Sequence, residues 1–195
     1  MARVLNRAVI LLGVLLTATA CLPVTSKSPI GTTAGYKADP RLTGVWKVDS
    51  REASGYFAFF PQADGSTRVV LLEPSSPGDK GGWMVFDVHT ATLGADRYMD
   101  ASELEEDGKP PGQKLAHMPV LYRFGADGSL ALYLMDEDAA KAAIKTGGIA
   151  GMVKPGQFGD VVLTATPAAL DAYVQSPAGH ALFKKPTEIL ERVKP

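Results

Sequence analysis

The sequence predicts a mainly β domain of the α+β type. It has about eight strands in a curved antiparallel sheet, as a half-barrel or a closed barrel, with short C-terminal helices packed on it. Three observations carry this expectation. Short apolar segments follow one another with short turns from residue 44 to residue 135. Two of those turns, Asp64-Gly65 and Gly125-Ala126-Asp127-Gly128, are hairpin signals. Helix-start signals, in which a capping residue precedes proline or acids, come only after residue 135.

Residues 1–20 stand outside that domain. Arg3 and Arg7 form a positive start, no acid precedes Asp39, and residues 8–16 read AVILLGVLL. Thr17, Ala18, Thr19 and Ala20 then give a small-residue stretch that ends at Cys21. Positive start, short apolar run and small-residue site make a secretory signal, and the run is far shorter than the roughly 20 residues of a membrane-spanning helix. Followed at once by Cys21, this stretch resembles the lipobox of bacterial lipoproteins. Ala18 stands where that family prefers Leu or Val. The resemblance implies that residues 1–20 are cleaved and that Cys21 receives a diacylglyceryl group and an N-terminal acyl chain. Two acyl chains already anchor a protein stably, so three hold it permanently. Lipidation also removes a liability, because Cys21 is the one cysteine of the chain and would otherwise be an exposed thiol. Leu22 replaces the Asp that holds such proteins in the inner membrane, which points to the outer membrane, facing the periplasm.

Residues 21–40 are rich in Ser, Thr, Gly and Pro and carry no apolar period. They read as a flexible tether, which leaves one globular β-rich domain over residues 41–195. Its first strand is 44–48, where polar and apolar residues alternate. Segments 55–60 and 68–72 flank the Asp64-Gly65 hairpin, and 83–90 turns through Leu93-Gly94-Ala95 into 97–99. Segments 120–124 and 130–135 make the second hairpin, and 160–164 reads as a late eighth strand. Several strands are apolar on both sides: Tyr56, Ala58 and Phe60 oppose Phe57 and Phe59, and Val69 and Leu71 oppose Val70 and Leu72. Such a sheet either is covered by helices or curls around an interior, and eight strands suffice to close around one small ligand.

Gly44-Val45-Trp46 opens this series. It resembles the G-x-W motif of lipocalin-like barrels, in which the tryptophan packs at the closed end beneath a C-terminal arginine. The resemblance implies a barrel of that kind with Arg192 as the partner of Trp46.

Helices are expected late. Asp136, Glu137 and Asp138 start one that Gly147 ends, followed by a flexible connection over 147–151. Thr166-Pro167 and Ser176-Pro177 start two more. Residues 187–193, with Ile189, Leu190 and Val193 as an apolar stripe, read as a final short helix.

The chemistry is sparse. Asp87 and His89 leave one face of a strand together, a geometry open to a two-ligand metal start or a carboxylate-oriented base, or to nothing more than a polar surface stripe. Arg123, between Tyr122 and Phe124, is placed to reach water or to bind an anion. The acidic run over 102–107 reads as a solvated loop within a long connection over 101–118. No serine-hydrolase elbow, phosphate loop or calcium loop is present in the sequence, and no cofactor is implied. With 20 basic and 21 acidic side chains, the chain has no basic excess for nucleic acid.

The expected function is therefore a lipid-anchored envelope protein, more binding module than enzyme. Its partners are the membrane, through acylated Cys21, and a small apolar ligand or another envelope protein. Trp46, Asp87, His89 and Arg123 are the candidate ligand-binding residues. The alternative is a periplasmic hydrolase or isomerase that uses scattered carboxylates with His89.

Overall fold

A computed structural model describes residues 24–49, 54–75, 80–110, 116–154 and 161–194. The expected signal peptide and Cys21 lie outside the described residues.

Eight strands form a closed antiparallel barrel. In chain order they are β2 (Gly44–Asp49), β3 (Ser54–Pro61), β4 (Thr67–Glu73), β5 (Gly82–Leu93), β6 (Asp96–Glu106), β7 (Met118–Phe124), β8 (Leu130–Leu134) and β11 (Glu188–Arg192). The first seven form an up-and-down meander. The last pairs with both β8 and β2 and closes the ring. Closure removes both sheet edges, so every strand is paired on two sides.

Alternation decides which side chains fill the barrel. Trp46 and Val48, Phe57 and Phe59, Val69, Phe86 and Val88, Met99 and Ala101, Val120 and Tyr122, Leu130 and Leu132, and Leu190 form one cluster inside it. Leu121, one residue out of phase on β7, faces outward into a second cluster.

That second core covers none of the outer residues of β3 and β4, where Tyr56, Phe60 and Leu72 stay exposed. It lies between the outer wall at β6–β8 and a layer of helices and short strands. The layer contains α1 (Glu137–Lys145), α2 (Pro167–Val174), α3 (Pro177–His180) and a small sheet of β1 (Thr25–Ser26), β10 (Val161–Leu163) and β9 (Gly151–Val153). The three helix starts are as the sequence indicates. Asp136, Thr166 and Ser176 each accept from the backbone N–H three residues on, at 2.7, 3.3 and 3.0 Å. Gly147, at φ +72°, ends α1.

Five expectations are corrected. Residues 187–193 are not a helix: Glu188–Arg192 is the strand that closes the barrel. Two open strand edges, on β8 and β2, supply backbone partners on both sides, and that outweighs a local helical stripe. Within the expected strand 160–164, Val161–Leu163 is a strand, but of the small sheet rather than the barrel. The acidic run over 102–107 is no loop, because β6 continues to Glu106. A bulge lies between the pairs Val85–Glu105 and Phe86–Glu103, with Leu104 as the extra residue. Residues 24–40 are no free tether either. Val24, Ser26 and Ile30 are buried, and the segment is bonded across the outer wall. The connection after α1 is also ordered, since Ile149 is buried and Gly151 begins β9.

Candidate functional site

The two ends of the barrel differ in construction. One is sealed. A single 3-10 turn, Pro40–Leu42, crosses it and inserts Leu42 into the interior cluster. Trp46 is fully buried above the turn and donates its indole N–H to the Leu42 carbonyl at 2.7 Å. The Arg192 guanidinium stacks 4.2 Å over the Trp46 ring and donates to the carbonyls of Thr43, at 2.6 Å, and Arg41. Arg41 in turn lies 4.5 Å over Phe124 and forks onto Asp39. Burial pushes the Asp39 carboxyl up, but bonds from Arg41 and Tyr122 outweigh it and hold the group below its usual value. The Tyr122 hydroxyl donates to Asp39 at 3.1 Å. Burial first, and then Asp39, push that phenol up.

The other end is apolar and less covered. Register carries the inward positions from Phe57 to Leu71 to Met84, and from Val69 to Phe86 to Glu103. Met118, on β7, and Leu134, on β8, share this half of the interior. Phe57, Leu71, Met84, Phe86, Met118 and Leu134 are only half-buried although all face inward. Trp46 and Leu190, by contrast, are fully buried, so this half of the barrel is less covered than the sealed end.

The sequence-nominated residues do not converge. Trp46 lies inside, at the sealed end. Asp87 and His89 lie outside on β5, with His89 Nε2 3.4 Å from the Asp87 carboxylate and its ring stacked on Tyr36 at 4.6 Å. Arg123 lies outside on β7, bonded to Asp96 at 2.9 Å, with its guanidinium 5.5 Å from the Tyr133 ring. Asp87 and His89 are thus a surface pair separated from the apolar interior by the barrel wall. Among the described residues no three His, Cys, Asp or Glu side chains come together as metal ligands.

Sequence reasoning missed two features. One is the binding of residues 24–37 to the wall. Asp171 on α2, almost fully buried, accepts from Gly31 N–H at 2.6 Å, from Thr33 N–H at 3.0 Å and from the Thr33 hydroxyl at 2.6 Å. Buried Asp100 accepts from Ile30 N–H at 3.3 Å and faces His117 Nδ1 at 2.8 Å. Burial raises the Asp100 carboxyl despite the opposing pull of His117. No local pattern marks contacts spanning some 70 to 140 residues. The other is Glu103, whose inward direction follows from alternation beyond Ala101 once β6 is known to continue.

Compared with protein-family models, curated proteins and solved structures, the chain matches none. Among the described residues no helix is long and apolar enough to cross a membrane.

Proposed function

We propose that this chain is a lipid-anchored protein of the bacterial cell envelope, facing the periplasm from the outer membrane, whose barrel binds a small apolar ligand without transforming it. The observation that carries the reading is the set of half-buried inward residues Phe57, Leu71, Met84, Phe86, Met118 and Leu134 above a sealed end. Asp87 and His89, the carboxylate–histidine pair on which an enzymatic reading would rest, point away from that interior.

The anchor rests on the signal-like N-terminus and on Cys21. With Val24 already packed, three Cα steps separate it from Cys21, a reach of at most about 11 Å. A lipid on Cys21 therefore holds the barrel against the bilayer instead of letting it swing on a long tether.

Native mass spectrometry of the full chain, extracted from bacterial membranes in mild detergent, tests the reading. The expected mass is that of the chain beginning at Cys21, plus three acyl chains, plus a dissociable small molecule. A chain that keeps residues 1–20, or one that is repeatedly empty, would contradict it. Cys21→Ser should leave the chain unlipidated and absent from the membrane fraction.

A second reading, contact with another envelope protein, is favoured by the outer face of β2–β5. Val45, Tyr56, Phe60, Leu72 and Trp83 are exposed there, and among the described residues no helix covers them. Photo-crosslinking from position 72 in cells tests it: a discrete adduct is expected, and uncrosslinked chain alone would contradict it.

A further inference from the structure

The less covered half of the barrel is apolar in its wall and carries carboxylates at inward strand positions toward its rim, where Lys80 and Lys109 lie on the connections. Glu103 stands beside Phe86 in the inward register, half-buried, and among the described residues it makes no hydrogen bond or ion pair. Glu73 and Glu106 end β4 and β6 at inward positions, in register with Gly82 and Met84 respectively. No described lysine or arginine occupies an inward strand position in this half. The inward-register arginines, Arg97 and Arg192, belong to the sealed end, where Arg97 lies 3.9 Å from Asp39 and Arg192 covers Trp46.

We infer that the barrel selects cationic amphiphiles, with the apolar tail between Phe57, Leu71, Phe86 and Leu134 and the positive head at Glu103. This rests on the binding function proposed above and names the chemical class of its ligand. A half-buried carboxylate with no partner among the described residues attracts a cation held beside it. The same field works against an anionic head, so fatty acids and alkyl sulfates are disfavoured. A neutral chain gains from the apolar wall alone.

Isothermal titration of the full chain with decyltrimethylammonium, decanol and decyl sulfate, each below its micelle concentration, tests the inference. The cation should bind about tenfold more tightly than decanol, and the sulfate more weakly than decanol. Glu103→Gln keeps the side-chain volume and disturbs no bond in the fold. It should reduce cation affinity about tenfold and leave decanol affinity unchanged. Equal affinity for the three, or an unaltered cation affinity in Glu103→Gln, would overturn the inference while leaving an apolar binding barrel intact. Binding of none of the three would overturn both. A loss of decanol affinity in the same variant would show Glu103 to be structural and would also overturn the inference.

Discussion

Arg192 stacks 4.2 Å above the Trp46 ring and ties the last barrel strand to the first. Its two bonds, to the carbonyls of Thr43 and Arg41, fix the turn that plugs the sealed end. A cation–π contact and two charge-assisted bonds together support about 2–3 kcal/mol. Arg192→Ala is therefore expected to lower the melting temperature by roughly 5–10 °C, as followed by circular dichroism. An unchanged melting temperature would show that the plug holds without the arginine.

Gly44 is required by the same contact. Its φ is +119°, where a side chain is strained, and a Cβ there would come 3.0 Å from Arg192 Nη1. Gly44→Ala should destabilise by about 1–2 kcal/mol in urea unfolding. In an Arg192→Ala background the clash is gone and only the backbone strain remains. The cost should then fall by about 0.5–1 kcal/mol. An equal cost in both backgrounds would mean that the arginine does not crowd Gly44.

Acid should loosen the plug. Asp39 is held below its ordinary value by Arg41 and Tyr122, so its contribution is present above that value and is lost as pH falls through the lower folded one. Wild type should exceed Asp39→Asn by about 1 kcal/mol at pH 7. Chemical unfolding across pH 2–7 (roughly the window in which aspartates titrate) should show that gap closing at the acid end. A gap independent of pH would contradict the role given to the carboxylate.

The N-terminal segment is pinned by Asp171. Asp171→Ala leaves Gly31 N–H, Thr33 N–H and the Thr33 hydroxyl without their acceptor. The Gly31 N–H is buried, and leaving it without an acceptor costs about 1–3 kcal/mol, enough to open a surface segment before the barrel. Limited trypsin digestion should cut the variant at Lys27 and Lys37 at least tenfold faster than wild type, with the barrel strands still protected. Equal cleavage would mean that the segment is held by its apolar residues, Val24 and Ile30, rather than by Asp171.

The parts of the fold that were legible in the sequence are those set by local patterns. Alternation gave the two faces of β3 and β4 but not which of them turns inward, Asp64-Gly65 and Gly125-Ala126-Asp127-Gly128 gave the hairpins, and Asp136, Thr166 and Ser176 gave the helix starts. What was hidden depends on long-range closure. Ile189, Leu190 and Val193 fit a helical stripe as well as a strand. Only the unpaired edges of β2 and β8 decide between them, and those edges exist only in the folded barrel. Residues 24–40 looked like a tether because their anchor points, Asp100 and Asp171, lie far along the chain. Of the site, Trp46 and its relation to Arg192 could be read from the motif and from the position of the arginine near the C-terminus. The difference in cover between the two ends could not be read, because inward residues look alike in sequence whether they are fully or half-buried.

Titration with the apolar fluorophore N-phenylnaphthylamine is the most direct test of an accessible barrel interior. Wild type should bind it saturably at about one site per chain, with fluorescence rising as the dye leaves water. Leu71→Trp and Leu134→Trp, which would fill the open half, should abolish that binding with little loss of melting temperature. Binding that persists in both variants, or none in wild type, would contradict an open ligand-binding barrel.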